Sequence, residues 1–245
     1  MKTLRYWGLT DPGCVRAQNQ DVFVIQKLRR GGMLFVVCDG MGGAKSGNVA
    51  SSLAAEVFTH ELQHSYRGQT DREQLEQILD KAVTMANYMV YEQAHRNPEY
   101  EGMGTTLTAV LIKGKQAVVV NVGDSRVYHL SDSIRQITED HSLVQMMLRK
   151  GELTKEQAQH FPGRNYITRA IGTDPAVQCD TFHLDLKKGE YLLLCSDGLT
   201  NMVDEQEILF EVTYGDKAEH CCHRLRDITI DRGAPDNVTS VLVQV

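Results

Sequence analysis

An α+β fold, a four-layer α-β-β-α sandwich of two antiparallel sheets flanked by helix pairs, is what the element order of this 245-residue chain predicts. Three observations lead there. The strand-like runs are short and joined by connections of hairpin length, which makes neighbouring strands antiparallel. The helical periodicities come in two separate pairs, one after the third strand and one near the C-terminus, unlike the alternation of a doubly wound parallel sheet. Each well-marked helix carries a single apolar stripe, so it covers a sheet face and is not buried all round. Two sheets packed face to face then form the core, with catalytic groups expected on loops at one end of the sandwich.

The elements follow in order. Thr3 to Leu9, Val22 to Leu28 and Met33 to Cys38 are rich in β-formers, and Arg30-Gly31-Gly32 is the turn between the second and third. In the first helix Val49, Ala50, Leu53, Ala54, Val57, Phe58 and Leu62 recur at three- and four-residue spacing. Leu75, Ile78, Leu79, Ala82, Val83, Ala86, Met89 and Val90 do the same in the second. Strands return at Thr105 to Ile112, Gln116 to Val122, Arg126 to Leu130 and Ser133 to Thr138, with Lys113-Gly114-Lys115 and Ser131-Asp132 as hairpin connections. Ser142 to Arg169 reads as irregular and partly helical, with a capping box at Thr154 and Gln157. Strands near Val177 to Asp185 and Glu190 to Cys195 precede two capped helices, opening at Asp204 with Glu207 and at Asp216 with Glu219. Val238 to Val245 is the last strand.

Composition bounds the function. The net charge of −6 and a pI of about 5.8 disfavour non-specific binding to nucleic acid or anionic membranes. No apolar run approaches the roughly 20 residues of a membrane span, and Met1 to Thr10 does not read as a signal peptide. Cys14, Cys38, Cys179, Cys195, Cys221 and Cys222 form no C-x-x-C pair, which points to reduced thiols in a cytoplasm. Without a linker or composition break, residues 1–245 read as a single domain.

The chemistry lies in carboxylates placed after apolar runs. Leu34 to Cys38 leads into Asp39-Gly40-Met41-Gly42-Gly43, Val119 to Val122 into Gly123-Asp124-Ser125-Arg126, and Tyr191 to Cys195 into Ser196-Asp197-Gly198. Asp236-Asn237 stands just before the final strand. A charge at the end of a buried strand is costly unless paired, and glycine beside it lets the backbone turn sharply or approach a ligand. One Asp-Gly is ordinarily a turn; four such sites suggest carboxylates converging on hard cations of the Mg²⁺ or Mn²⁺ kind. Zinc-type Cys/His spacing is absent. Arg16, within Asp11 to Asp21, has the planar donor fork that suits a phosphate.

With these motifs in this order, the chain resembles the metal-dependent protein serine/threonine phosphatases of the type 2C family, in their compact bacterial form. The resemblance runs through Gly13-x-x-Arg16-x-x-Asn19-Gln20-Asp21, Asp39 to Gly43, Gly104-Thr105-Thr106 and Gly123 to Arg126. It continues through Thr138 to Ser142, Thr168 to Gly172, Ser196 to Leu199 and Asp236 to Thr239. It implies hydrolysis of phosphoserine and phosphothreonine on proteins by in-line attack of water activated by two Mn²⁺ or Mg²⁺ ions, reversing serine/threonine kinase signalling. Asp39 would bridge the two ions, with the Gly40 carbonyl on the first and Asp197 and Asp236 on the second. Asp21 would hold water bound to the metals, and Asp124 with Asp197 would match the third-metal site of bacterial members. Arg16 would bind the phosphate, and Ser142 to Arg169 would contain a mobile flap. The resemblance also implies phosphoprotein substrates, a partner serine/threonine kinase and a monomer.

The chain departs from the family at several positions. Met41 stands where eukaryotic members often have His, and Ala44 where many bacterial members do. Gln20 and Asn48 stand where Glu is frequent, and Gln20 is expected to weaken metal affinity. The acid that protonates the leaving group is then expected to be water on the metals, with His141 as the alternative. Cys195 would share a strand face with Asp197 if that strand continues, and Cys221-Cys222 is expected to pack as free thiols. Two other readings are a non-catalytic phosphoprotein-binding module and a hydrolase of small phosphoesters.

Overall fold

The computed structural model describes residues 4–43, 46–68, 70–159, 161–163 and 166–245, so the expectations placed on Thr3 and Ala44 lie outside it. One sheet runs in the order β1 (Arg5–Asp11), β11 (Val238–Gln244), β10 (Tyr191–Cys195), β7 (Arg126–Leu130), β8 (Ile134–Gln136). The other runs β2 (Asp21–Lys27), β3 (Met33–Met41), β5 (Leu107–Lys113), β6 (Gln116–Val122), β9 (Asp180–Asp185), with the two-residue β4 (Gly104–Thr105) paired to the end of β3. Every pairing is antiparallel, as the short connections require.

Strand alternation builds the layers. On β3, Phe35 and Val37 point between the sheets, where they meet Val110, Val119, Leu192, Leu194 and Val241. Leu34, Val36 and Cys38 point outward, under α1 (Gly47–Ser65) and α2 (Arg72–Arg96), against Ala54, Phe58, Val83 and Val90. On β10, Leu193 and Cys195 face the opposite outer layer, α6 (Glu205–Thr213) and α7 (Cys221–Asp231), against Ile208, Val212 and Leu225. Two-residue periodicity on strands and an apolar stripe on each helix thus produce four layers.

Several boundaries shift for local reasons. The expected strand from Thr105 to Ile112 splits at Thr106, whose amide donates to the Asp39 carbonyl, while Thr105 also bridges to Ile171. Val177 and Cys179 pack against the helix-covered core as coil, so β9 starts only at Asp180. The capping box of α6 is present, with Asp204 and Glu207 each accepting or returning a backbone bond. That of Thr154 with Gln157 is present too, ahead of α4 (Lys155–Gln159). The box expected at Asp216 and Glu219 is not: a 3₁₀ turn over Ala218–His220 precedes α7, and Arg224 takes the Lys217 and Glu211 carbonyls. Asp216 and Glu219 instead face His220. All six cysteines are free thiols, the Cys221-Cys222 pair included.

Candidate active site

Loops and strand ends meet at one end of the sandwich around a pocket of about 900 Å³. Arg16, Asp39, Gly40, Asp124, Asp197 and Asp236 all line it. Asp21 lies directly behind, opposite Asp39 in the β2–β3 register. The structure therefore brings together every residue singled out for metal or phosphate from the sequence, although their backbone settings differ. Asp39 lies within β3, which continues past it to pair with β4. Asp124 follows β6, Asp236 precedes β11, and Asp197 opens the short helix α5 (Asp197–Thr200).

Hydrogen bonds fix the segments that carry the carboxylates. The Asp39 amide donates to Thr106 Oγ1 at 2.9 Å, and Thr105 Oγ1 and the Thr106 amide both donate to the Asp39 carbonyl at 2.9 Å. Thr106 Oγ1 also lies 2.8 Å from Ser125 Oγ, which ties the Asp39 strand to the Asp124 loop. Ser196 Oγ donates to Asp21 Oδ2 at 2.7 Å and accepts from the Thr239 amide at 3.0 Å. Asn201 Nδ2 donates to Asp197 Oδ2 at 3.0 Å, one helical turn on. Arg16 donates to Asp236 Oδ2 at 2.8 Å, with its side chain 53% exposed.

Asn237 holds the Arg16 loop in place. Its Nδ2 donates to the Pro12 and Gln18 carbonyls, and its Oδ1 accepts from the Gln20 amide. Gly13 makes this approach feasible: its φ is +75°, and a Cβ there would sit 2.2 Å from the Asp236 carbonyl oxygen. Gly198 is tighter still, since a Cβ would lie 1.9 Å from the Asn237 carbonyl oxygen. Gly198→Ala must therefore push Asp197 and Asp236 apart. We expect it to cost about 1–3 kcal/mol, read as a lowered Tm, with metal affinity weakened in parallel. An alanine variant with unchanged melting and metal titration would show that the two loops are not in rigid contact.

Ser196, Asn201, Asn237 and the Thr105-Thr106 pair were not assigned roles from the sequence. Only Asn201 had a local signal, its four-residue spacing from Asp197. Tyr166, 67% exposed, and Ile167 form a wall of the pocket from the segment between Ser142 and Arg169. That segment contains α3 (Leu143–Arg149) and α4, and its stems are pinned by the Leu143–Tyr166 and Thr168–His141 backbone bonds. Gln20 donates to the Gly43 carbonyl at 3.3 Å, and Asn48 is exposed.

Two sequence expectations change. His141 does not line the pocket. Its Nδ1 accepts the Gly123 amide at 3.0 Å and its Nε2 faces Asp180 at 3.2 Å, while burial lowers its pKa. The ring braces the loop that carries Asp124 and is not aimed at a leaving group. Cys195 does not share a face with Asp197, because β10 ends at Cys195 and the chain turns into α5. The thiol is fully buried, and burial pushes its pKa up to about 12.

Electrostatics mark the pocket as a cation site. Burial is the first cause that raises Asp21 to about 6 and Asp124 to about 8, with the Asp197 charge adding to both. Asp39 is raised well above the ordinary carboxylate range by burial and then by Asp21, Asp197, Asp124 and Asp236. Asp197 is raised by burial and by Asp236. The Oδ1 atoms of Asp21 and Asp124 are buried without a hydrogen-bond partner. Orphaned acceptors and mutually repelling carboxylates are what a divalent cation would satisfy. Among the described residues no three His, Cys, Asp or Glu side chains already stand in coordinating arrangement around one point. Mg²⁺-like ions do not need that, since they take one or two carboxylates and fill the shell with water. The residues fit the group.

Comparison with known proteins agrees with the geometry. The family model described as Protein phosphatase 2C matches residues 15–227. A serine/threonine phosphatase stp of Listeria innocua is 38% identical over 240 residues, covering 96% of this chain and 93% of that one. The S. agalactiae serine/threonine phosphatase structure superposes with a TM-score of 0.93 at 32% identity, covering 99% of this chain and 100% of the other. The catalytic domain of the serine/threonine protein phosphatase PstP, in complex with two manganese ions, superposes with a TM-score of 0.84 at 35% identity, over 98% and 97% of the two chains. The carboxylate pocket and these matches across nearly the full length place the chain in the protein phosphatase 2C family.

Proposed function

We propose that residues 1–245 form one catalytic domain that removes phosphate from phosphoserine and phosphothreonine of proteins in a metal-dependent reaction. The observation that carries this is one pocket lined by four aspartates together with an exposed arginine. The phosphatase names and the manganese of the relatives support it. Asp39, the Gly40 carbonyl, Asp197 and Asp236 would hold a pair of Mn²⁺ or Mg²⁺ ions, with Asp124 and Asp197 at a third. Bound there, such ions supply Lewis acidity, which lowers the pKa of water and neutralises charge developing on the phosphoryl oxygens.

The remaining work falls to the protein. Arg16 swings from Asp236 to the phosphate, for among the described residues it makes no other side-chain hydrogen bond. Its donor fork would bind the phosphoryl group and orient it for in-line attack. Asp124 from the lining and Asp21 from behind it add negative charge in the pocket, where Asp21 would hold water bound to the ions. Neither Cys38 nor Cys195 acts as nucleophile, because both thiols are buried and their pKa values raised. A cytoplasmic monomer opposing a serine/threonine kinase is the setting we propose; no helix among the described residues is long and apolar enough to cross a membrane.

Purified protein with Mn²⁺ should hydrolyse both a phosphothreonine peptide and p-nitrophenyl phosphate, and EDTA should abolish both. Inactivity on both across Mn²⁺, Mg²⁺ and neutral to alkaline pH would overturn the reading. Equal or better turnover on nucleotides and sugar phosphates would move the assignment to small phosphoesters. Arg16→Ala should lower kcat/KM by about 10- to 100-fold, mostly through KM. Arg16→Lys should recover only part of this, because an ammonium lacks the fork.

A further inference from the structure

The end of the sandwich opposite the carboxylates has a feature that phosphate hydrolysis does not use. A groove of about 1310 Å³ runs across it, over the Lys113-Gly114-Lys115 turn, from the start of β1 to the first turn of α2. Leu4, Tyr6, Met33, Leu75 and Leu186 supply apolar lining. Its rim is basic in a chain that is acidic overall. Lys27, Arg72, Lys113, Lys115 and Lys188 line it, against two acidic side chains, Asp71 and Asp185. Asp71 is committed as the cap of α2, accepting from the Gln74 amide at 2.8 Å. Arg72 is paired with Glu76 at 3.4 Å. The four lysines are exposed and make no ion pair among the described residues. These cations outnumber the acidic side chains of the groove and have no ion-pair partner among the described residues.

We propose that this groove docks an acidic segment of a partner polypeptide, with carboxylates on the lysine rim and apolar or aromatic side chains against Tyr6 and Leu75. Charge complementarity selects the segment, and the apolar floor distinguishes it from a plain polyanion. The recessed shape favours an inserted chain over a flat lipid surface: Leu111, Ile112 and Leu186 lie at the bottom, nearly inaccessible. Tyr6, 41% exposed and edge-on to Phe35, is the aromatic contact left open. Met33 opens β3, and Asp39 stands six residues along it. At the usual rise per strand residue the groove is about 20 Å from the carboxylates, so occupancy leaves the pocket open. Docking here would tether a partner without competing for the phosphate site.

The test is fluorescence anisotropy with labelled random poly(Glu,Tyr), alongside polyglutamate and vesicles of phosphatidylserine in phosphatidylcholine. Lys113→Glu with Lys115→Glu should weaken poly(Glu,Tyr) binding by about ten-fold. The equally charged control Arg135→Glu with Lys217→Glu, on exposed positions elsewhere, should change it less than about two-fold. Tyr6→Ser should weaken poly(Glu,Tyr) and leave polyglutamate binding unchanged; if that variant does not fold, Lys27→Glu replaces it as a second rim change. All variants should keep wild-type turnover of p-nitrophenyl phosphate, so failure here is separable from failure of the proposed activity. Equal losses in both double variants would overturn the proposal. So would polyglutamate binding as tightly as poly(Glu,Tyr), or vesicles captured by the wild type and released by the Lys113/Lys115 variant.

Discussion

Asp39→Asn should lower turnover of a phosphothreonine peptide by about three orders of magnitude, equivalent to about 4 kcal/mol in the barrier. The substitution keeps shape and volume and removes only the charge. Asp39 lies between Asp21 and Asp197, within hydrogen-bonding reach of both, and Asp124 and Asp236 add to its field. A second consequence separates this from simple unfolding. Because burial and four neighbouring carboxylates disfavour the charged form, the metal-free variant should melt higher than the metal-free wild type at neutral pH. Mn²⁺ should then raise the variant's Tm far less than the wild type's. An Asp39→Asn protein whose turnover stays within an order of magnitude of wild type would place the chemistry elsewhere.

The layers of the fold were legible in the residues because burial periodicity is local. Leu34-Phe35-Val36-Val37-Cys38 is apolar throughout, which a strand covered on both faces requires, and both faces are covered. The Asp204–Glu207 box was legible for the same reason, its partners being three residues apart. The start of α7 was not, since Asp216-x-x-Glu219 satisfies the same local rule. There Arg224 settles the outcome by capturing carbonyls from the preceding segment. At the site, Asp39, Asp124, Asp197 and Asp236 stood out as charges next to buried runs. Asp21 came only from the family resemblance. The bonds that set their positions could not be read, because Asn237 reaches Gln20 across 217 positions and Ser196 reaches Asp21 across 175. Expecting Cys195 and Asp197 on one face assumed a strand that in fact ends between them.

Metal-free protein should lose stability as pH rises from about 4 to about 8, and saturating Mn²⁺ should remove most of that loss. The sign follows from the folded-state values. Asp21 at about 6 and Asp124 at about 8 both lie above the ordinary 3.8 of an unfolded chain. The folded form therefore binds more protons in this window. Their contribution is complete below the unfolded value and disappears as pH climbs through the folded ones, on the order of a few kcal/mol for two buried groups. Carboxylates with lowered values act oppositely and in a different range. Asp180, hydrogen-bonded by His141 and Arg169, and Glu207, held at about 2 chiefly by Arg232, stabilise the fold above their unfolded values and lose that effect only in stronger acid. Both are partly exposed, so solvent screening reduces their share. The two sets together place the Tm maximum of the chelated protein at mildly acid pH, near about 4–5. Divalent cations compete with protons for the same oxygens, so the benefit of Mn²⁺ should grow with pH. At a hundred-fold excess over its Kd, Mn²⁺ should add about 2.7 kcal/mol, a rise of roughly 5–10 °C for a chain of this length. Differential scanning fluorimetry in EDTA and in Mn²⁺ across this pH range reads all of it. A chelated Tm that is flat or rising between mildly acid and mildly alkaline pH would mean that the five aspartates are not crowded against one another, and that the pocket is not held open for cations.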